Sequence, residues 1–298
     1  MKFAGIIAEY DPFHNGHAWQ LAQAKALGAE RVAVAMSCSL VQRGALPLLP
    51  EAVRTRSALT CGADLVFALP APCACAGAEA FARAGVALLA AAGCDGLVFG
   101  AETPDAALLM EAAELLDSDS YRAALKAQLA GGARSFAAAR QAAAAQLASD
   151  ERVAALLDKP NNNLAVEYCR AIRSLAPRME AYPLPRQGAD HGEALHSAHG
   201  QFASASALRK LSAEGGADAV APYVPEAVFP LYQEAYAAGQ YTDFSAAGRC
   251  ELALLRSACR GKPPFADIRG VSEGLEHRLK AAVRTSTTYD ELLDALTT

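Results

Sequence analysis

The sequence holds no apolar run near the roughly 20 residues that a membrane-crossing helix needs, so a bilayer-spanning chain is excluded. A secretory leader is not expected either. The start, Met1-Lys2-Phe3-Ala4-Gly5-Ile6-Ile7, soon meets Glu9 and Asp11, too short and too acidic for one, which implies a cytoplasmic protein. There is no surplus of positive charge. The 27 Lys and Arg stand against 32 Asp and Glu, a net charge of −5, so a nucleic-acid site must be a local patch. CxxC pairs are absent. Eight cysteines are scattered mostly through apolar stretches, with Cys73 and Cys75 the one close pair, so a zinc site of ordinary spacing is not expected and no metal ligand set is assigned. These are expected to be reduced thiols, several of them in the core. No fixed-period repeat runs through the chain. What is present is apolar material: 53% of the 298 residues are hydrophobic and 20% charged, which excludes a disordered chain and suffices for one large domain or two modest ones.

Short apolar runs alternate with helical patterns. The runs 3–9, 31–36, 63–69 and 96–99 read as buried strands, and 15–27, 51–61 and 76–92 as the helices between them. Continuous apolar strands separated by helices predict an α/β fold, a doubly wound parallel sheet of Rossmann-like type covered on both faces. Residues 105–157 are Ala-rich and helical in pattern, expected as a helical pair inserted over the sheet. Pro160-Asn161-Asn162-Asn163 interrupts them and opens a helix to about Leu175. Residues 179–184 read as a fifth strand, 186–200 as a polar loop carrying His191 and His196, and 204–210 as the start of another helix. The expected division is an α/β domain over 1–215 and a helical C-terminal region over 216–298, with a soft boundary at 214–222.

The sharpest chemical signal is Tyr10-Asp11-Pro12-Phe13-His14-Asn15-Gly16-His17, between the first strand and the first helix. Ligands of open parallel sheets bind beyond the carboxyl ends of the strands. A helix N-terminus there offers free N–H groups to phosphate. Gly16 permits close approach, and His14 and His17 can both donate to a polyphosphate as negative charge builds on the leaving oxygens. The HxxH spacing alone would equally suit surface or metal-binding histidines.

His14-Asn15-Gly16-His17 resembles the HxGH signature of the nucleotidyltransferase superfamily. The wider stretch Ile7 to His17 is similar to the opening of the bacterial tRNA(Met) cytidine acetate ligases. Met36-Ser37 with Val41 to Gly44, Asp64-Leu65-Val66 with Leu69-Pro70, and Phe99 to Glu102 match in order. So do Pro160-Asn161-Asn162 with Glu167-Tyr168, Ala203 to Arg209, and Glu273 to Arg278. The resemblance implies a ligase that activates acetate with ATP as acetyl-adenylate, with Mg2+ shielding the phosphates. The acetyl group then passes to the wobble cytidine of elongator tRNA(Met), forming N4-acetylcytidine.

The resemblance places the ATP site on Ile7, Ala8, Glu9, Tyr10, Asp11, Pro12, Phe13, His14, Asn15, Gly16, His17, Ala18, Trp19 and Gln20, and on Gly100, Asn161, Asn162 and Arg186, with His14 and His17 catalytic. From the residues alone, Gly100 equally suits a strand-end turn and Asn162 a helix cap. Arg186 carries a planar fork suited to phosphate and equally suits an exposed position. Ser204, Ser206 and Arg209 resemble the second superfamily motif, on the pyrophosphate side, and would also serve as an N-cap group. Arg43, Arg54, Arg56 and Arg83 are candidates for a basic tRNA surface, or are scattered solvated arginines. His191 and His196 are candidates for tRNA or acetate contact, or lie on an ordinary surface loop.

Several positions depart from the family pattern. Asp11 stands where asparagine is usual, Cys38 where glycine is, Glu51 where lysine is and Ala52 where tryptophan is. The chain stops at Thr298, short of a Lys-Arg-Tyr-Thr-type stretch, so its tRNA binding is expected to be weaker than its ATP binding. Two other functions remain open on the residues: an adenylyltransferase for a small cofactor precursor, and a non-catalytic nucleotide- or RNA-binding remnant.

Overall fold

The computed structural model describes residues 1–132, 135–186, 195–197, 200–260, 265, 268, 271 and 274–297. The chain divides into two compact units, Met1–Tyr241 and Thr242–Thr298, a later division than the expected one at 214–222.

In the first unit, β1 (Phe3–Ala8), α1 (Asn15–Ala26), β2 (Arg31–Ser37), α2 (Glu51–Thr60) and β3 (Leu65–Leu69) alternate as the apolar pattern predicts. A short α3 (Ala71–Ala74) and α4 (Ala78–Ala91) lead to β4 (Gly96–Ala101). The expected helical pair over 105–157 is instead four helices: α5 (Ala106–Asp117), α6 (Asp119–Ala130), α7 (Phe136–Leu147) and α8 (Glu151–Leu156). The cause is local. The side chains of Ser118, Ser135 and Asp150 each accept a backbone N–H two or three residues on, and so each starts a new helix. The chain continues through α9 (Pro160–Leu175), with Pro160 in its first turn, and β5 (Glu180–Pro185). Inside the expected loop after Arg186, β6 (Leu195–Ser197) and β7 (Gly200–Phe202) pair antiparallel. α10 (Ala205–Gly215), a 3-10 turn at Asp218–Tyr223 and α11 (Phe229–Ala237) complete the unit.

The sheet order is β3-β2-β1-β4-β5, with every pair parallel. Steps from β1 to β3 run one way and the step from β4 to β5 the other. Right-handed crossovers therefore put α1 and α2 on one face and α4 and α9 on the opposite face. Val32 to Met36 are all fully buried, as a strand covered on both sides requires. On the α4–α9 side, Leu97, Phe99 and Ala101 pack with Val86, Leu89, Leu109, Val166 and Ile172. The reversal of strand order falls between β1 and β4, which is where such folds hold ligands.

The second unit contains α12 (Phe244–Ala258), α13 (Leu275–Thr285) and α14 (Tyr289–Thr297) around Leu252, Cys259, Phe265, Val283 and Leu292. Arg256 donates to the carbonyls of Val283 (3.2 Å) and Ser286 (2.5 Å), closing the end of α13. No helix among the described residues is long and apolar enough to cross a membrane.

Candidate functional site

The loop between β1 and α1 is held from both sides of the sheet edge. Tyr10 takes φ +51°, a left-handed conformation that a bulky residue adopts only when its surroundings impose it. Its ring is buried against Phe13 and His17, with ring centroids 4.9 and 4.8 Å away. Its hydroxyl has no hydrogen-bond partner among the described residues. Glu9 accepts the Gln42 N–H at 2.6 Å.

His14 caps α1. The Gly16 N–H donates to His14 Nδ1 (3.0 Å), and the His14 N–H donates to His17 Nδ1 (3.3 Å), a reciprocal capping box built from two imidazoles. A ring nitrogen that accepts an N–H carries no proton, so each neutral ring keeps its proton on Nε2. The rings stack with centroids 3.8 Å apart, and together they present two N–H donors. Burial first, then the positive charge of Arg186, pushes the His14 pKa down to about 4. Burial, then His14 and Arg186, holds His17 well below its ordinary value. Both rings are therefore neutral donors near pH 7. Gly16 is required by contact: a Cβ there would lie 2.9 Å from His14 Cε1.

Across the strand-order reversal, Gly100 pairs in register with Leu184, and a Cβ on it would stand 3.4 Å from Arg186 Cγ. The fold thus brings Gly100 and Arg186 together, 86 positions apart in the chain. Beyond β4, the Glu102 carboxylate accepts the N–H groups of Asn161 (3.2 Å) and Asn162 (2.7 Å) and the Asn161 side-chain amide (2.6 Å). Burial alone would raise the Glu102 carboxyl, but these bonds outweigh it and hold its pKa below the ordinary value. Asn162 is 1% exposed. Its amide accepts the Thr103 N–H at 2.9 Å and donates to Thr103 Oγ1 at 3.1 Å. The two asparagines thus anchor the 100–103 turn to the start of α9. Ser204 caps α10 by accepting the Ala207 N–H, and Ser206 is exposed beside it. One turn on, Arg209 donates to the Asp11 carbonyl (2.6 Å) and carboxylate (3.2 Å).

Other expected residues are placed differently. Arg54 was expected on a tRNA-facing surface and is 0% exposed. Its guanidinium donates to the carbonyls of Leu49 (2.9 Å), Glu9 (2.8 Å), Ser37 (2.7 Å) and Cys38, tying together the ends of β1 and β2. Arg56 on α2 pairs with Glu234 at 3.7 Å, and Arg83 on α4 donates to Ser174, so these two lie on opposite faces of the sheet. Arg43, Arg56 and Arg83 are exposed, but with Arg54 buried and Arg56 and Arg83 on opposite faces the four arginines form no single patch. Asp11 brings no bare charge to the site, because the Leu48 N–H and Arg209 engage its two carboxylate oxygens. Ile7 packs on Gly85 of α4, and Gln20 donates to the Val98 carbonyl. Ala18 and Trp19 line a cavity of about 450 Å3 between α1 and Pro222–Glu226, whose lining includes neither histidine. His191 lies outside the described residues, and of His196 only the backbone, in β6, is described. All eight cysteines are free, and no group of three metal-ligating side chains stands together among the described residues.

Sequence reasoning missed Glu102 as a site residue, and Pro222 and Tyr232, which also hold the β1–α1 loop. Asn15 donates to the Pro222 carbonyl (3.2 Å), and Tyr232 donates to that of Phe13 (2.6 Å). These partners lie 207 and 219 positions apart, and no spacing signal joins them.

Comparison with known proteins matches this geometry to one group. A model of the HIGH nucleotidyl transferase family covers residues 1–298. A tRNA(Met) cytidine acetate ligase of Syntrophotalea carbinolica is 36% identical over 299 residues, spanning 99% of this chain and 70% of that protein. The crystal structure of apo Thermotoga maritima TmcAL superposes with a TM-score of 0.91 at 30% identity, over 99% of this chain and 71% of that one. The same protein bound with alpha-thio ATP gives a TM-score of 0.88 at 30% identity, over 99% and 70%.

Proposed function

Since the chain belongs to the HIGH nucleotidyl transferase family, we propose that it is an ATP-consuming ligase that acetylates the wobble cytidine of elongator tRNA(Met). An acetate oxygen attacks the α-phosphate of ATP, the α–β bridging bond breaks, and acetyl-adenylate and pyrophosphate result. The N4 amine of the cytidine then attacks the acetyl carbonyl, loses a proton, and releases AMP and N4-acetylcytidine. The observation that carries this reading is the pair of neutral imidazoles whose Nδ1 atoms are engaged by the backbone, which leaves two Nε2 donors at the switch point. They strengthen as charge moves onto the departing pyrophosphate, the moment at which donors accelerate the step. Arg186 supplies positive charge beside them, and Arg209 extends it from α10. Mg2+ would travel with the nucleotide and shield its phosphates. The turn at Gly100, held by Asn161 and Asn162, lets the adenosine approach the backbone closely.

The test is ATP–pyrophosphate exchange with and without acetate, followed by transfer of labelled acetate to tRNA(Met). Exchange that requires acetate, together with label in the tRNA, is the expected result. Exchange that requires a different acceptor would make the chain an adenylyltransferase for that compound. No exchange at all would leave a binding remnant.

A further inference from the structure

The β1–α1 loop is gripped at alternate residues by elements more than 190 positions later in the chain. Asp11 is held by Arg209 of α10, Phe13 by Tyr232 of α11, and Asn15 by the carbonyl of Pro222. Between and beyond these ties lie His14 and His17, whose Nδ1 atoms accept backbone N–H groups and whose Nε2 atoms have no hydrogen bond among the described residues. Tyr232 is 0% exposed, and its hydroxyl makes a single 2.6 Å bond to the carbonyl of the residue just before the capping histidine. The Phe13 ring in turn lies 5.6 Å from the His17 ring. We infer that Tyr232 is a positioning residue for the histidine pair, acting through the Phe13 carbonyl to hold both rings in their stacked arrangement, with each Nδ1 accepting a backbone N–H. The inference rests on the reading of the histidines as donors to ATP. The bond fixes where the chain enters α1, and with it the direction of both imidazoles. A displacement of about 1 Å at a reacting group costs on the order of a hundredfold in rate.

The experiment compares Tyr232→Phe with Tyr236→Phe. Both tyrosines are on α11, but the Tyr236 hydroxyl bonds Ser212 and does not touch the loop. Thermal melts establish that both variants fold. Histidine ring protons are then titrated by NMR, a readout independent of activity. In the parent, His14 and His17 should titrate below the ordinary histidine range. In Tyr232→Phe these two move upward toward 6.5, because a looser loop admits water and relieves the desolvation, and in Tyr236→Phe they do not move. Acetate-dependent exchange should fall about ten- to a hundredfold in kcat for Tyr232→Phe, with the KM for ATP changed less than about threefold. Unmoved titrations would overturn the inference. So would equal shifts in both variants, or a Tyr232→Phe chain that does not fold, which would make the residue structural only. A parent without exchange, but with the titration shift present, would refute the ligase reading and leave the positioning role standing.

Discussion

Substituting Gly16 by alanine should separate stability from catalysis. The added Cβ would stand 2.9 Å from His14 Cε1 and 3.1 Å from Nδ1, tighter than carbon tolerates. The helix backbone around residue 16 cannot yield, so the imidazole must swing away, and the bond from the Gly16 N–H to His14 Nδ1 breaks with it. Losing the cap costs about 1 kcal/mol. Replacing glycine with alanine in a helix returns up to about 1 kcal/mol. The two nearly cancel, and with residual crowding the melting temperature should move by no more than about 2–4 °C. Catalysis has no such offset. The His14 Nε2 donor leaves the place where charge develops, and removing one such donor typically costs about 10²–10³ in rate. The assay is acetate-dependent ATP–pyrophosphate exchange on folded protein, with calorimetry of MgATP binding beside it. The expected result is a rate lower by about 10² or more, with ATP affinity changed much less. Near-parental exchange would refute the placement of His14 over Gly16. A melt lowered by tens of degrees would refute the cancellation.

His17→Ala should cut exchange by about 10²–10³ while MgATP still gives a calorimetric signal; an unchanged rate would reduce the pair to a helix cap. Arg54→Leu leaves three or more buried carbonyls without donors and should destabilise the fold by on the order of 3 kcal/mol in urea unfolding; a loss below about 1 kcal/mol would contradict its role as a tie between strands. Both site histidines titrate lower in the folded protein than when unfolded, so the unfolded chain takes up protons first as pH falls. Their contribution to stability is complete above about pH 6.5 and is lost as pH falls below it, for His14 down to about pH 4, and urea midpoints should fall accordingly, less so in a His14→Ala chain. Glu102→Gln removes the carboxylate that accepts the first N–H groups of α9, so the KM for ATP should rise with little change in kcat; a selective loss of kcat would instead place Glu102 in the chemistry.

Two of the departures from the family pattern, Asp11 and Cys38, have local partners. The charge of Asp11 is met by Arg209 and one of its oxygens by the Leu48 N–H. Cys38 lends its carbonyl to Arg54, and burial pushes its thiol pKa up to about 11, so it remains a neutral packing group at the end of β2.

Elements with a one-dimensional cause were legible from residues alone. The runs 3–9, 31–36, 63–69 and 96–99 announced the four strands; β2 is buried on both faces, which admits little but apolar residues, whereas β3 lies at the sheet edge with Leu65 exposed. The histidine pair was legible for a similar reason: a cap and its partner lie three residues apart on one turn. Helix breaks inside 105–157 were visible only as single Ser and Asp residues, too weak against a strong Ala propensity, and the short hairpin after Arg186 gave no alternation to read. What only the tertiary structure decided is which polar groups are spoken for. Arg54 looks like any surface arginine until the carbonyls at the ends of β1 and β2 converge on it. Asn162 gives no sequence sign that Thr103 takes one of its donors and one of its acceptors, and Tyr232 has no sequence tie to Phe13. Hydrogen bonds act over about 3 Å in space whatever the separation along the chain. A local pattern can therefore name the residues of a loop, but only the packed fold determines which of them remain free to act.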